Sequence, residues 1–140
     1  MTLHDAHLAM LGLRVLVVDD DADIRRDIVS SLEAAGCAVA STDSGAKALS
    51  LLQAATPTDH ARPFDLVVSD IGMPGMSVLE LLSAIKRVAG SLPVVLVTAY
   101  CNDQTRQVSL RLGAVAVLDK PLNFKRLREI VFAAARRSGE

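Results

Sequence analysis

Several side chains with reactive or charged groups stand directly after short apolar runs. Three acids, Asp19 to Asp21, follow RVLVV, and Asp70 follows DLVVS. Thr98 ends the run VVLVT, and Lys120 comes directly after AVLD. Carboxylates, a hydroxyl and an ammonium are the groups that hold a hard cation and a transferring phosphoryl group in proteins. If the chain brings these side chains together, they predict phosphoryl chemistry.

A cluster of carboxylates needs a compensating charge. Two ionised carboxylates about 4 to 5 Å apart repel by roughly 3 to 4 kcal/mol at an effective dielectric near 20, so protonation or a cation is required. Oxygen ligands at a site open to solvent favour Mg2+ over a closed Ca2+ cage. A carboxylate held there can act as the nucleophile and form an aspartyl phosphate, which an ammonium and a hydroxyl would stabilise.

Five short runs rich in Val and Leu alternate with segments of helical spacing. The runs are RVLVVD, AVAST, FDLVVSD, PVVLVT and AVAVLD, and their apolar residues indicate buried parallel strands. The first helix is predicted from Asp23 to Ala35, with Gly36 as its C-cap. The other helices are predicted near Ser44 to Ala54, from the capping box of Ser77 and Glu80, from Asn102 to Gly113, and from Asn123 onward.

Strict alternation of strands and helices predicts an α/β fold. Right-handed crossovers place helices on both faces of an open parallel sheet. Such sheets bind ligands at the carboxyl ends of their strands, next to the point where the strand order reverses. The acids, Thr98 and Lys120 are therefore expected at one edge, whereas the end of the second strand, near Ser41 to Asp43, predicts only a turn.

Composition limits the classes of protein that the chain can represent. At 140 residues with 51% hydrophobic content, one domain with one core is expected. The net charge of -1, without a long run of like charges, gives no reason to expect a nucleic-acid or membrane surface. No apolar stretch reaches the roughly 20 residues of a membrane span, and no signal peptide is recognised, so a soluble cytoplasmic protein is expected.

The cysteines and histidines are expected to have no part in the site. Cys37 and Cys101 match no metal motif and are interpreted as reduced structural thiols. His4, His7 and His60 lie in a terminal segment or in the polar loop TPTDHARP, so they are expected at the solvated surface. The basic last helix is interpreted as a solvated amphipathic face.

Four motifs, taken in order, resemble the receiver domain of two-component response regulators. They are VLVVDDDADIR, DLVVSDIGMPGM, VVLVTAY and LDKPL, and the resemblance covers about residues 13 to 135. It implies a flavodoxin-like (βα)5 fold, doubly wound, with a five-stranded parallel sheet in the order 2-1-3-4-5. The implied organisation is an N-terminal arm (1–12), a receiver domain (13–137) and a tail or the start of a linker (138–140).

The resemblance implies a metal site for Mg2+, with Mn2+ able to substitute. The acidic pair is assigned to Asp19 and Asp20, because Arg25 then falls where the family often has Arg. In that register Asp20 resembles the direct ligand and Asp19 the ligand that acts through water. Asp70 and the backbone carbonyl of Gly72 are the remaining implied ligands.

The same resemblance implies the reacting groups. Asp70 matches the phosphoacceptor, Thr98 the hydroxyl that moves toward the phosphoryl group, and Lys120 its ammonium partner. The bond from Lys120 to Pro121 is similar to one that is often cis in receivers. Because neighbouring residues of a strand point to opposite faces, Asp119 is expected to point away from the site.

The implied function is that of a switch and not of an enzyme. A histidine kinase or histidine phosphotransfer protein would donate a phosphoryl group to Asp70, and self-catalysed hydrolysis would remove it. The signal would be a shift in the face built by the fourth helix, fifth strand and fifth helix, which could also support a homodimer. No direct binding of nucleic acid or membrane is expected, and the output target or output domain is not identified.

The chain departs from the receiver pattern at three places. Val117 stands where receivers usually carry an aromatic residue that reports phosphorylation, and Tyr100 is a poor substitute. Ser77 and Val78 stand where Asp-Gly is common. Gly72 leaves the position two residues after Asp70 without a side chain, which predicts easy access of water and a short-lived aspartyl phosphate.

Two other classes remain as alternatives. A haloacid-dehalogenase-like phosphohydrolase also uses an Asp nucleophile with a hydroxyl, a Lys and Mg2+, but DDDAD has Asp23 where Thr or Val belongs, and no cap domain is present. A receiver-like interaction module that is independent of phosphorylation is disfavoured by the intact acids but is kept open by Val117.

Overall fold

The computed structural model describes residues 12–54, 64–72, 75–99 and 102–138. Within these ranges, five strands alternate with five helices, as the sequence predicts. The strands are β1 (Arg14–Val18), β2 (Ala38–Thr42), β3 (Leu66–Asp70), β4 (Val94–Thr98) and β5 (Ala116–Asp119). The helices are α1 (Ala22–Ala34), α2 (Gly45–Ala54), α3 (Val78–Val88), α4 (Asp103–Arg111) and α5 (Phe124–Ser138).

The sheet is parallel, with the strand order β2-β1-β3-β4-β5. This order confirms the flavodoxin-like, doubly wound (βα)5 fold. Every residue of β3 and β4 is buried, as expected for central strands covered on both faces. The order reverses between β1 and β3, and Val18 pairs with Ser69 at the ends of these two strands. The acids that follow β1 and end β3 therefore meet at the reversal, where such sheets bind ligands.

Alternate residues of the strands build two cores, one on each face of the sheet. Val15 and Val17 of β1 point to the face that α1 and α5 cover, where Leu32 and Leu127 are completely buried. Leu16 and Val18 point to the opposite face, which α2 and α3 cover. The two cores pack against the sheet from both sides, and this packing fixes the directions of the residues at the strand ends.

Three helices begin at capping residues that the sequence predicts, and the first helix begins one residue earlier. Asp21 accepts hydrogen bonds from the N–H groups of Asp23 and Ile24, so α1 begins one residue earlier than predicted. The helix also ends one residue earlier, at Ala34. Gly36 follows α1 with a φ of 103°, a conformation that favours glycine. Ser77, Asn102 and Asn123 each accept a hydrogen bond from a backbone N–H three residues later, which confirms the predicted starts of α3, α4 and α5.

None of the described helices is both long enough and apolar enough to cross a membrane.

Candidate functional site

The turn from β1 into α1 places three consecutive acids in different environments. Asp19 is 1% exposed, and its Oδ1 accepts a hydrogen bond of 2.9 Å from the N–H of Asp21. Asp20 is exposed, and the side chain of Asp21 is used as the cap of α1. Of the three acids only Asp21 caps the helix, and the assignment of Asp19 and Asp20 as the acidic pair of a metal site stays a prediction.

Asp70 is the last residue of β3 and is 9% exposed. The N–H of the next residue, Ile71, donates to the carbonyl of Val97 on β4 at 3.0 Å, which extends the strand pairing past the acid. The N–H of Gly72 donates to Asp70 Oδ1 at 3.1 Å. The carboxylate is thus fixed by a rigid strand on one side and by the following turn on the other.

Lys120 joins the two buried acids. Its Nζ lies 3.1 Å from Asp19 Oδ2 and 3.3 Å from Asp70 Oδ2, and its side chain is 12% exposed. The peptide bond from Lys120 to Pro121 is cis, as the resemblance implied. Asp119 points away and pairs with Arg106 of α4, so its predicted orientation is also confirmed.

Thr98 ends β4 beside this group and is 5% exposed. The N–H of Lys120 donates to the backbone carbonyl of Thr98 at 2.7 Å, and Thr98 pairs with Asp119 in the sheet. The structure therefore places Asp70, Thr98 and Lys120 on three adjacent strand ends. Gly72 follows Asp70 by two residues and contacts its carboxylate. The role of the Gly72 carbonyl as a metal ligand stays a prediction.

The three acids offer a cation site. Carboxylate oxygens of Asp19, Asp20 and Asp70 all lie within 4.8 Å of one another. The donors are all oxygen, which suits a hard cation such as Mg2+. Lys120 balances one of the three negative charges, so the cluster retains the charge that a divalent cation matches. The exposed position of Asp20 leaves one side open to solvent, as an ion that keeps its waters requires.

The environment shifts the pKa of two of these groups. Burial raises the pKa of Asp19, although the hydrogen bonds from Asp21 and Lys120 act in the opposite direction. Burial alone would lower the pKa of Lys120, but its hydrogen bond to Asp19 and the charge of Asp70 outweigh burial and raise that pKa. Lys120 therefore stays an ammonium ion at neutral pH, whereas the buried charge of Asp19 is costly.

Two arginine contacts near the site were not predicted. Arg25, which served only to set the register, donates from Nη1 to the carbonyl of Asp19 at 2.7 Å. Arg106 donates from Nη1 to the carbonyl of Val117 at 2.7 Å and from Nη2 to Asp119 Oδ2 at 3.2 Å. The sequence gives a weak signal for the contact of Arg25, because this residue follows Asp19 by only six positions in the first helix. No local pattern indicates the contacts of Arg106.

The remaining predictions concern residues outside the group of acids, Thr98 and Lys120. Val117 is 5% exposed and belongs to the core cluster that also contains residues of α2 and α3. Cys37 is buried at 6% exposure, in line with a structural thiol. The predictions for Met73, Pro74, Tyr100, Cys101, His4, His7, His60 and residues 1–11 of the N-terminal arm lie outside the described residues.

Comparisons with known proteins agree with this geometry. The family model "Response regulator receiver domain" matches residues 15–132. A probable transcriptional regulatory protein of Picosynechococcus is 35% identical over 91% of this chain and 49% of its own length. The DNA-binding transcriptional regulator NtrC of Escherichia coli is 37% identical over 78% of this chain and 22% of its own length. The chain thus spans about half the length of the first relative and about a fifth of the second.

Solved structures give the same result. A CheY-like response regulator receiver domain protein of Methanospirillum hungatei superposes with a TM-score of 0.80 at 26% identity, covering 91% of this chain and 97% of that one.

Proposed function

Because the chain belongs to the family of response regulator receiver domains, we propose that Asp70 is its phosphoacceptor and that the chain is a phosphorylation-controlled switch in two-component signalling. The family is a signalling domain and not a conventional enzyme. One observation carries the proposal: Asp70 lies at the end of a fully buried strand, 3.3 Å from the ammonium of Lys120 and within a cluster of acids that can hold a cation.

The proposed reaction uses groups that are already in place. A carboxylate oxygen of Asp70 attacks the phosphorus of a partner's phosphohistidine, the P–N bond breaks, and the histidine leaves with the electron pair. Lys120 stabilises negative charge on the phosphoryl oxygens, and the hydroxyl of Thr98 donates a hydrogen bond to one of them. The donor is a histidine kinase or a histidine phosphotransfer protein.

Mg2+ is the proposed cofactor, with Mn2+ able to substitute. The residues that would hold it are Asp19, Asp20, Asp70 and the carbonyl of Gly72. When bound, the cation neutralises negative charge on the acids and on the incoming phosphoryl group. In its presence Asp19 can remain ionised although it is buried, and Asp70 can approach an anionic donor.

Self-catalysed hydrolysis is proposed to end the signal. Water attacks the phosphorus of the aspartyl phosphate, the Asp70 carboxylate leaves, and inorganic phosphate is released. A Cβ atom at Gly72 would lie 3.9 Å from Asp70 Oδ1, so the absence of a side chain there removes cover close to the reacting carboxylate. We therefore expect a short lifetime, and a half-life of many hours in Mg2+ would contradict this expectation.

The proposed output is the face formed by α4, β5 and α5. Phosphorylation would change the contacts of Thr98 and Lys120, which end β4 and follow β5, and shift this face. The face could bind a downstream protein or a second copy of the chain. A second candidate for the output is a domain joined to this receiver (residues 13–137) in the whole protein, since the relatives are longer. We place this protein in the cytoplasm, as is general for response regulators.

The test is the mass of the intact protein after incubation with acetyl phosphate, with and without Mg2+. We expect a gain of about 80 Da that requires both Mg2+ and Asp70. Asp70→Asn should abolish the gain, and Asp103→Asn, at an exposed acid of α4, is the matched control. Folded protein without any gain would support the interaction module instead, and turnover of a small phosphoester by Asp70→Asn protein would support the phosphohydrolase.

A further inference from the structure

Helix α4 has little apolar contact with the rest of the domain. Of its residues, Asp103–Arg111, only Ser109 is fully buried, and Leu110 is 45% exposed. By contrast, α3 buries Leu81, Leu82 and Ile85. Since apolar burial is the main force that attaches a helix to a sheet, α4 must depend on other contacts for its position.

The one fully buried side chain of α4 is poorly satisfied. Among the described residues, the hydroxyl oxygen of Ser109 is the buried side-chain atom without a hydrogen-bond partner. A buried hydroxyl without a partner loses its hydrogen bonds to water and gains none in return. This hydroxyl therefore weakens the attachment of α4 to the sheet.

Arg106 supplies a polar contact between α4 and the sheet. Its guanidinium donates to the carbonyl of Val117 at 2.7 Å and to Asp119 Oδ2 at 3.2 Å. β5 is an edge strand, so this carbonyl has no further strand to pair with on that side. We call these two contacts the Arg106 bridge. The planar fork of arginine can make both contacts at once, which the single ammonium of lysine cannot do in the same geometry.

The Arg106 bridge ends one residue away from the reaction site. Asp119 forms an ion pair with Arg106, and the next residue, Lys120, contacts Asp19 and Asp70. The N–H of Lys120 also donates to the carbonyl of Thr98. The segment from Val117 to Lys120 therefore carries both groups that hold Arg106 and also the lysine that contacts Asp70.

We propose that Arg106 is the positioning residue that couples helix α4 to Lys120, and through it to the charge state of Asp70. The inference deepens the proposed function and depends on it. When Asp70 is phosphorylated, Lys120 turns to the phosphoryl oxygens, the end of β5 shifts, and the Arg106 bridge weakens. Helix α4 is then held less tightly on the sheet, and its looser attachment is the outward signal.

Hydrogen exchange of the α4 amides in the full chain tests the coupling. Exchange is followed in Mg2+ with and without acetyl phosphate, and phosphorylation of each sample is measured by intact mass. In the wild type we expect phosphorylation to speed exchange of α4 about tenfold. In Arg106→Met, exchange should be at least about fivefold faster before phosphorylation, and the further change on phosphorylation should be largely lost.

Three further variants separate coupling from general stability. Arg111→Met removes the same charge from an exposed position of α4 and should respond like the wild type. Ser109→Ala removes the unsatisfied hydroxyl, so exchange of α4 should slow about threefold before phosphorylation. Arg106→Lys keeps the charge but not the planar fork, so it should lose at least half of the phosphorylation response. If Arg106→Met does not fold, Arg106→Lys takes its place in the experiment.

Reciprocity gives a readout that a purely structural role would not change. If phosphorylation releases α4, a chain in which α4 is already loosened is closer to the phosphorylated state, so Arg106→Met should raise the steady-state level of Asp70 phosphorylation at limiting acetyl phosphate. A normal mass gain with the same α4 response in Arg106→Met and wild type would overturn the coupling alone. No mass gain on Asp70 in the wild type would overturn the proposed function, and the coupling with it.

Discussion

At the scale of single residues, Lys120 has two opposing effects on the acid cluster. It contacts Asp19 at 3.1 Å and Asp70 at 3.3 Å, so it stabilises the buried charges and also occupies oxygens that a cation would use. Lys120→Met should lower the free energy of unfolding by about 2 kcal/mol in the absence of metal. It should strengthen Mg2+ binding about tenfold, because the cation no longer meets an ammonium.

Isothermal titration measures the affinity for Mg2+, and urea denaturation followed by circular dichroism measures stability, since the chain contains no tryptophan. Lys125→Met, at an exposed lysine of α5, is the control and should change neither quantity. Weaker Mg2+ binding in Lys120→Met would show that Lys120 organises the metal ligands and does not compete with the cation.

A second residue-scale prediction concerns the thiol of Cys37. The side chain is 6% exposed, and burial together with the nearby Asp65 raises its pKa to about 11. In a Cys101→Ser background, the remaining thiol should react with a disulfide reagent at pH 8 at least about 100-fold more slowly than free cysteine, because little thiolate forms. Unfolding in urea should restore the ordinary rate. A fast reaction of the folded protein would show that this core opens frequently.

At the scale of elements, the turn between β1 and α1 places neighbouring acids in different environments, and the proposed function gives them different roles. Asp21→Ala removes the cap of α1 and should cost about 1 kcal/mol of stability, with the affinity for Mg2+ unchanged within about twofold. Asp20→Asn should lower that affinity at least about tenfold without a comparable loss of stability. Titration calorimetry and urea denaturation compare the two variants. Equal losses of Mg2+ affinity would contradict the assigned register of the acidic pair.

The strands and helices could be predicted because their signals are local. The run AVAST coincides with β2, Ala38–Thr42, and the capping residues Ser77 and Asn102 mark their helix starts correctly. The meeting of Asp19, Asp70 and Lys120 also follows from the sequence, since the carboxyl ends of parallel strands share one edge. The approximate position of a side chain at the end of a strand can therefore be predicted without knowledge of the tertiary packing.

The contacts of long side chains could not be predicted in the same way. Arg106 reaches residues 11 and 13 positions further along the chain, and its partners include a backbone carbonyl that every residue type carries. Neither the spacing nor the residue type distinguishes it from Arg111 on the same helix. The division of the Lys120 contacts between Asp19 and Asp70 likewise depends on side-chain packing, which periodicity does not encode.

At the scale of the whole molecule, the buried acid links stability to pH and to metal. Since burial raises the pKa of Asp19 above 3.8, the native state holds this proton more tightly than the unfolded state does. The contribution of Asp19 to stability is therefore greatest at low pH and is lost as pH rises from about 3.8 through the native pKa. Mg2+ should restore it, so the gain in Tm on adding Mg2+ should be larger at pH 7.5 than at pH 4.5.

Thermal denaturation with and without Mg2+ at these two pH values measures the effect. At a concentration about 100 times the dissociation constant, binding adds about 2.7 kcal/mol of stability, which is a shift of several degrees for a domain of this size. Asp20→Asn should remove most of the gain at pH 7.5. The same gain at both pH values would indicate that the cation binds elsewhere.

Gly72 has a consequence for how such a switch can evolve. Its φ is not positive, and a Cβ there would make only an ordinary contact of 3.9 Å with Asp70 Oδ1, so neither the backbone nor its neighbours require glycine. Natural selection can therefore place a small side chain at this position without disturbing the fold. Under the proposed function, the duration of the response becomes a property that single mutations can adjust, while the chemistry that starts the response is inherited unchanged.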